Sequence, residues 1–530
     1  IHTKELTVSG RSSLIPNLSD NVSGIHSGVN ALLDLVVSGN GGSVVIEADE
    51  IGLSNHGRIS SVTDTKGDAG LIEINAGNLS LTDNAQIVTQ STGAGNAGNI
   101  SVTASELSLA NAEVTTTAEA TGAGGRIEAR VDGSTPLRLI DTRVSAEVND
   151  VPDGTDPSVG TANIVLTAPA VEMTGDSEVT ARTTGTRDAG AIILEAATVE
   201  LRGAELTSSS ESGATGDAGS VIVRGLAGKD SVADWVRVIG GGLSTSAVAG
   251  QGGDIAVTAG EIMLQAADIS ATVSGGEKPG GAIDLSAGTR LDISGGSIEA
   301  ESGGDGAAGA ITLAVASGPL SVNIGADGEP LSGSSRATIS TRSTARGRAG
   351  NISVTASELS VANAEVTTTA TATGAGGSTE VAVDGSTPLR LIDKTVSAQV
   401  NDVPSGVDPS VGTANIILTA PAMEMSGDSE VTARTTGTRD AGKIILEAAT
   451  VELRGAELTS SSESGATGDA GSVMVRGLAG EDAAADWVRV IGGGLSTSAV
   501  AGQGGNIAVT AGEIVLQEAD ISATVSGGQK

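Results

Sequence analysis

Imidazole is scarce in this chain: His2, His26 and His56 are its three histidines, all within the first 56 residues. None recurs in the later repeats. We read them as isolated surface side chains rather than a ligand or catalytic cluster. Zinc chemistry needs thiolates or paired histidines. There is no Cys and no H-E-x-x-H.

Carboxylates are the richer set. An acid recurs at one position of a short repeat: Glu113, Glu178, Glu205 and Asp268, and again Glu365, Glu430, Glu457 and Asp520. Stacked one strand spacing apart, roughly 4.8 Å, neighbouring carboxylates could share a hard cation such as Ca²⁺. Glu178, Glu205, Glu430 and Glu457 are the weak candidates for such contact. Arg143 and Thr395 interrupt the column, and no G-G-x-G-x-D array accompanies it. A solvated charged edge is the plainer reading, and no resident cofactor is expected. Glycoside hydrolysis needs two carboxylates about 5–10 Å apart, which stacked repeats supply cheaply. The chain lacks Phe and Tyr as sugar platforms, and no His lies near an acid run. We therefore expect no enzyme and assign no catalytic residue. Trp235 and Trp487 are the only aromatic residues. They are candidate partner contacts, against the plainer reading that each packs a loop onto the body.

Positioning falls to a repeat on two scales. Residues 97–278 match 349–530 without a gap, 252 positions apart, at about 159 of 182 positions. Beneath this lies a period of about 28–30 residues, as in AGNISVTASELSLANAEVTTTAEATGAG from Ala97 and AGAIILEAATVELRGAELTSSSESGATG from Ala189. Each unit has a Gly-rich entry and three short alternating runs. In the Ala189 unit the inward set is Ile192, Leu194, Ala196, Val199, Leu201, Ala204 and Leu206. Glu195, Glu200, Arg202 and Glu205 face water. Period two is the pattern of half-buried strands, and Val, Ile and Thr favour them. Three short strands cannot stand alone, so the repeats must stack.

The expected fold is all-β: a single-stranded parallel β-helix, right-handed by the crossover rule, with three short strands per coil. Residues 1–38, with Pro16, read as irregular first coils. Residues 39–530 read as a continuous β-helix of about 16–17 coils, on the order of 80 Å long. The excursions from Asp141, Gly225 and Ala316 read as loops leaving one corner. Differences between the long copies follow the register. Leu109→Val361, Val165→Ile417, Val171→Met423 and Met263→Val515 are expected inward. Glu119→Thr371, Thr142→Lys394 and Ala191→Lys443 are expected outward or in loops.

The phrase GNAGNISVTASELSLANAEVTT from Gly95, echoed by GNISVTASELSVANAEVTT from Gly350, closely resembles repeats of filamentous-haemagglutinin-like exoproteins. These are two-partner-secretion adhesins of bacteria. The resemblance covers nearly the whole chain through G-x-A-G-x-I-x-[VL]-x-A and the following L-x-L run. It implies a surface-exposed or released protein, associated with the outer membrane, that uses the β-helix as a stalk. The family's secretion domain and its effector or receptor-binding tip are not visible in this sequence.

Composition limits the partners. A net charge of -35 and pI near 4.3 disfavour phosphate backbones and anionic lipid. No run of 18 apolar residues suggests membrane insertion. Ile1 at the start and a second copy that stops in mid-motif at Lys530 suggest a section of a longer polypeptide. The function expected is a non-catalytic shaft or spacer of a giant bacterial adhesin or extracellular fibre, facing a host or neighbouring cell surface. A filament subunit that associates with itself end to end, and a carbohydrate-active β-helix enzyme, are the alternatives.

Overall fold

The alternation of apolar and polar residues dictates strands, and strands are what form. The computed structural model describes residues 2–9, 24–29, 40–64, 66–226, 231–478 and 483–527, with side chains from residue 40 onward. Among these residues there are 41 strands and no helix. The chain divides into two compact units, residues 1–259 and 260–530.

In the first unit every repeat pairs in parallel with the next. One inward row runs Val44, Ile72, Ile100, Ile127, Ile164, Ile192, Val221 and Ile255. Another runs Ile59, Ile87, Val114, Val144, Val179, Leu206 and Leu243. From residue 44 on, these side chains are at most 6% exposed. Within residues 1–38, His2–Ser9 and Gly24–Val29 are strands that join the same parallel ladder. The second unit repeats the scheme, with Ile283, Ile311, Ile352, Thr379, Ile416, Ile444 and Val473 in one row. The long excursions leave the ladder in register: Ile311 still faces Ile352 across the loop between them.

The inward set expected in the Ala189 unit is correct to the residue. Ile192, Leu194, Ala196, Val199, Leu201, Ala204 and Leu206 are all 0% exposed. Strand Ile192–Arg202 carries two successive outward residues, Ala197 and Thr198, where the alternation slips by one between its two apolar runs. The Gly-rich entry has a steric cause. A Cβ on Gly98 would lie 2.0 Å from the Gly70 carbonyl oxygen, and one on Gly350 1.8 Å from that of Gly309. Successive coils approach too closely there for any side chain. Buried hydroxyls bind the same backbone: Thr89 Oγ1 donates to Gly98 O at 2.6 Å and Thr341 Oγ1 to Gly350 O at 2.7 Å. These hydroxyls fill inward positions that aliphatic residues occupy elsewhere, at the cost of a satisfied hydrogen bond rather than an orphan.

Two of these substitutions, Met263→Val515 and Thr142→Lys394, lie on the other side of the wall. Met263 sits between inward Ile262 and Leu264 and points outward, whereas Val165, between Ile164 and Leu166, is only 8% exposed and counts with the core. Met263 is 36% exposed. Thr142 and Lys394, expected outside, are instead 1% and 5% exposed. Both occupy the inward position just before a strand, where the chain has turned its last corner.

Candidate functional site

Stacking brings together only part of the acidic column. In the first unit the order along the ladder is Gln86, Glu113, Arg143, Glu178, Glu205 and Gly242. In the second it is Thr338, Glu365, Thr395, Glu430, Glu457, Gly494 and Asp520. Direct acid neighbours are therefore Glu178 with Glu205, and Glu430 with Glu457. The others are separated by Arg143, Thr395 or a glycine. Each pair is held at one end by its own strand: Thr180 Oγ1 donates to Glu178 at 2.5 Å, and Thr432 Oγ1 to Glu430 at 2.7 Å. Glu113 accepts from Gln86 Nε2 at 2.9 Å, and Asp268 from Ser297 Oγ at 2.8 Å. Two carboxylates supply fewer oxygens than a Ca²⁺ ion takes from its surroundings. Among the described residues no three His, Asp or Glu side chains gather to hold a metal.

The tryptophans lie on the outer wall. Val236 and Val238 take the inward places, so alternation puts Trp235 and Arg237 outside. The Arg237 guanidinium stacks over the Trp235 ring at 4.6 Å, and Arg489 over Trp487 at 4.6 Å. Each ring is half-buried under its own arginine rather than packed into the core. Across the strands, Trp235 faces Thr198 and Arg237 faces Glu200. Such a cation–π pair offsets the exposure of a ring with no inward place to go.

His56 sits in a turn at φ 64 with Asn55 at φ 52. The side chains of His2 and His26 lie outside the described residues.

Two polar features were missed at the sequence level. Arg187 and Arg439 are each 3% exposed. Arg187 donates to the carbonyls of Val159, Thr121 and Asp150, the last two at 3.0 and 3.3 Å. Arg439 does the same to Val411, Thr373 and Asp402. Burial lowers the pKa of both. Each guanidinium ties the Pro-containing excursion of its copy, 149–161 or 401–413, to the coils beside it. A signal existed: Arg187 stands where the equivalent residue of a plain coil is Gly95. The other feature is Lys394, whose amine burial pushes down to about 7. A transposition, Thr142-Arg143 becoming Lys394-Thr395, was its only trace.

On the same turns a ladder of Asx side chains caps backbone N–H groups of the following coil. Asp440 accepts from Asp469 N at 2.8 Å. Burial raises the Asp440 pKa; the Asp469 N–H bond opposes the rise, and the charges of Asp469 and Asp408 add to it. These groups offer electrostatic and hydrogen-bonding surface. No family model, curated protein or solved structure matches the chain.

Proposed function

We propose that this chain is a shaft segment: a right-handed, three-faced parallel β-helix that acts as a spacer in a giant bacterial surface or secreted adhesin, without catalysis. The observation that carries the reading is the coil-to-coil ladder, in which each inward residue meets its equivalent in the next repeat within both units. Such a protein gains length by adding coils, and its stability is roughly additive over neighbours. The 252-residue duplication is then an extension of reach. The filamentous-haemagglutinin resemblance supports a location outside the outer membrane, with a host or neighbouring cell as the surface reached.

Deletion of Ala97 to Arg348 tests it. Arg348 occupies the place of Asn96, so the rejoined chain runs on in register. The shortened protein should fold, remain strand-rich by circular dichroism, and lose about eight or nine coils. Negative-stain images should show a reach shorter by roughly 40 Å. Binding to a cell surface that vanished while the fold stayed intact would place function in a local site and overturn the spacer reading.

A further inference from the structure

The inward position before the last strand of each coil is kept small. It is Ala112, Ser177 and Ala204 in the first copy, and Ala364, Ser429 and Ala456 in the second, all at most 6% exposed. Lys394 holds that position in the turn between strands Leu389–Ile392 and Thr395–Val400. It is 5% exposed. No ion pair offsets its charge there: burial alone lowers its pKa.

The charged groups around this turn are engaged elsewhere. On the same turn, Asp393 accepts the Asp428 N–H at 3.1 Å, and Arg390 pairs with Glu424 at 3.7 Å. From the preceding coil, Glu365 pairs with Arg336 at 3.3 Å, and Arg336 also donates to Thr395 Oγ1 at 3.2 Å. From the following coil, Glu430 accepts from Thr432 at 2.7 Å. A protonated amine at Lys394 has nowhere to place its charge except water.

We propose that Lys394 makes this turn a proton-controlled weak point of the second unit: closed while the amine is neutral, and opened to let the amine reach water once it takes up a proton. The first copy has no such point, because Thr142 holds the equivalent position. Burial sets the closed turn's amine at about 7, against 10.5 in water. The open form therefore binds the proton more tightly. Opening grows about ten-fold per unit as pH falls between these values, and grows no further below the lower one.

Hydrogen exchange of the full chain, read by mass spectrometry and corrected for intrinsic rates, tests this. Residues 389–400 are compared with 137–148 in the same molecule. The opening constant of 389–400 should rise roughly 50-fold from pH 9 to pH 7, while that of 137–148 stays flat. Lys394→Thr restores the first copy's residue and should abolish the dependence. Lys394→Met should keep the turn closed at every pH, and Lys394→Arg should hold it open. A flat profile in the wild-type protein, or the same slope in Lys394→Thr, would overturn the proposal.

Discussion

Residues 97–278 and 349–530 share most of their sequence, yet their interiors are not the same. In the first copy Ala129 lies between Val102 and Leu166. It borders an apolar cavity of about 20 Å³ lined also by Leu79, Leu109, Leu137 and Val144. The second copy places Val381 at that position, 7% exposed. Two residues earlier the balance reverses. Ile127 becomes Thr379, 0% exposed, whose hydroxyl has no partner. Thr is not a neutral stand-in for a β-branched aliphatic in a core. A third difference moves a cation: outward Arg143 is lost and inward Lys394 gained. The strand ladder pairs each coil only with its neighbours, and long side chains such as Arg187 reach one coil further, so gains and losses stay local and one copy can drift without disturbing the other.

A second contrast isolates what a neighbour contributes. Ile262, Leu264, Ile269 and Val273 are 0–2% exposed beside the next strand, Ile283–Ser302. The equivalent Ile514, Leu516, Ile521 and Val525, with no later strand among the described residues, are 40–50% exposed. Over 255–273 and 507–525 the coils differ only at Met263→Val515 and Ala266→Glu518. The burial belongs to the coil that follows.

The largest test of equivalence between the copies is Leu201→Asp against Leu453→Asp. Both leucines are 0% exposed, so each change should cost roughly 4 kcal/mol or more, read as a lower urea midpoint. Unequal losses would mean that the inward differences between the copies, which also include Leu109→Val361 and Val171→Met423, reach this layer.

Thr142→Lys should carry the Lys394 penalty into the first copy. The folded pKa lies below the unfolded one, about 7 against 10.5. Between them the unfolded chain holds a proton that the folded chain lacks, so stability rises with pH. The penalty, several kcal/mol, is full below pH 7 and fades toward pH 10.5. Unfolding curves across pH 7–10 check this. A constant penalty would mean the transplanted lysine stays charged in the fold.

Thr379→Ile should sharpen the likeness by removing the orphan hydroxyl and adding apolar volume, a gain of about 1–2 kcal/mol. Ala129→Val should fill the first copy's cavity and gain about 1 kcal/mol; a loss would show that the space between Val102 and Leu166 cannot open to admit it. The smallest effect belongs to Glu200→Lys, outward on the wall. It breaks the ion pair with Arg202 and sets a second cation opposite Arg237, so it should cost up to about 1 kcal/mol. A cost comparable to that of Leu201→Asp would mean the strand register is shifted by one residue.

Much of this was legible in the sequence because alternation is local. Ile192 through Leu206 declare their side by the period of the strand alone, and the acids before the third run declare a column because equal spacing stacks equal positions. The pairing of Glu178 with Glu205 and of Glu430 with Glu457 follows from that. One error came from the same local rule applied loosely, since Met263 is an apolar residue in an outward place. Composition suggests the inside; only the phase of the alternation decides it.

What the sequence determined by itself was therefore the set of inward rows, the Gly positions where backbones meet, and the absence of helical period. The tertiary structure decided everything that depends on residues far along the chain. It placed Trp235 and Trp487 under their arginines on the outer wall and turned Arg187 and Arg439 inward to hold an excursion. It closed the corner over Lys394. The physical reason is that a strand's phase is fixed by its own backbone, whereas the burial and charge state of a side chain are fixed by the coils above and below it, a full repeat away in sequence.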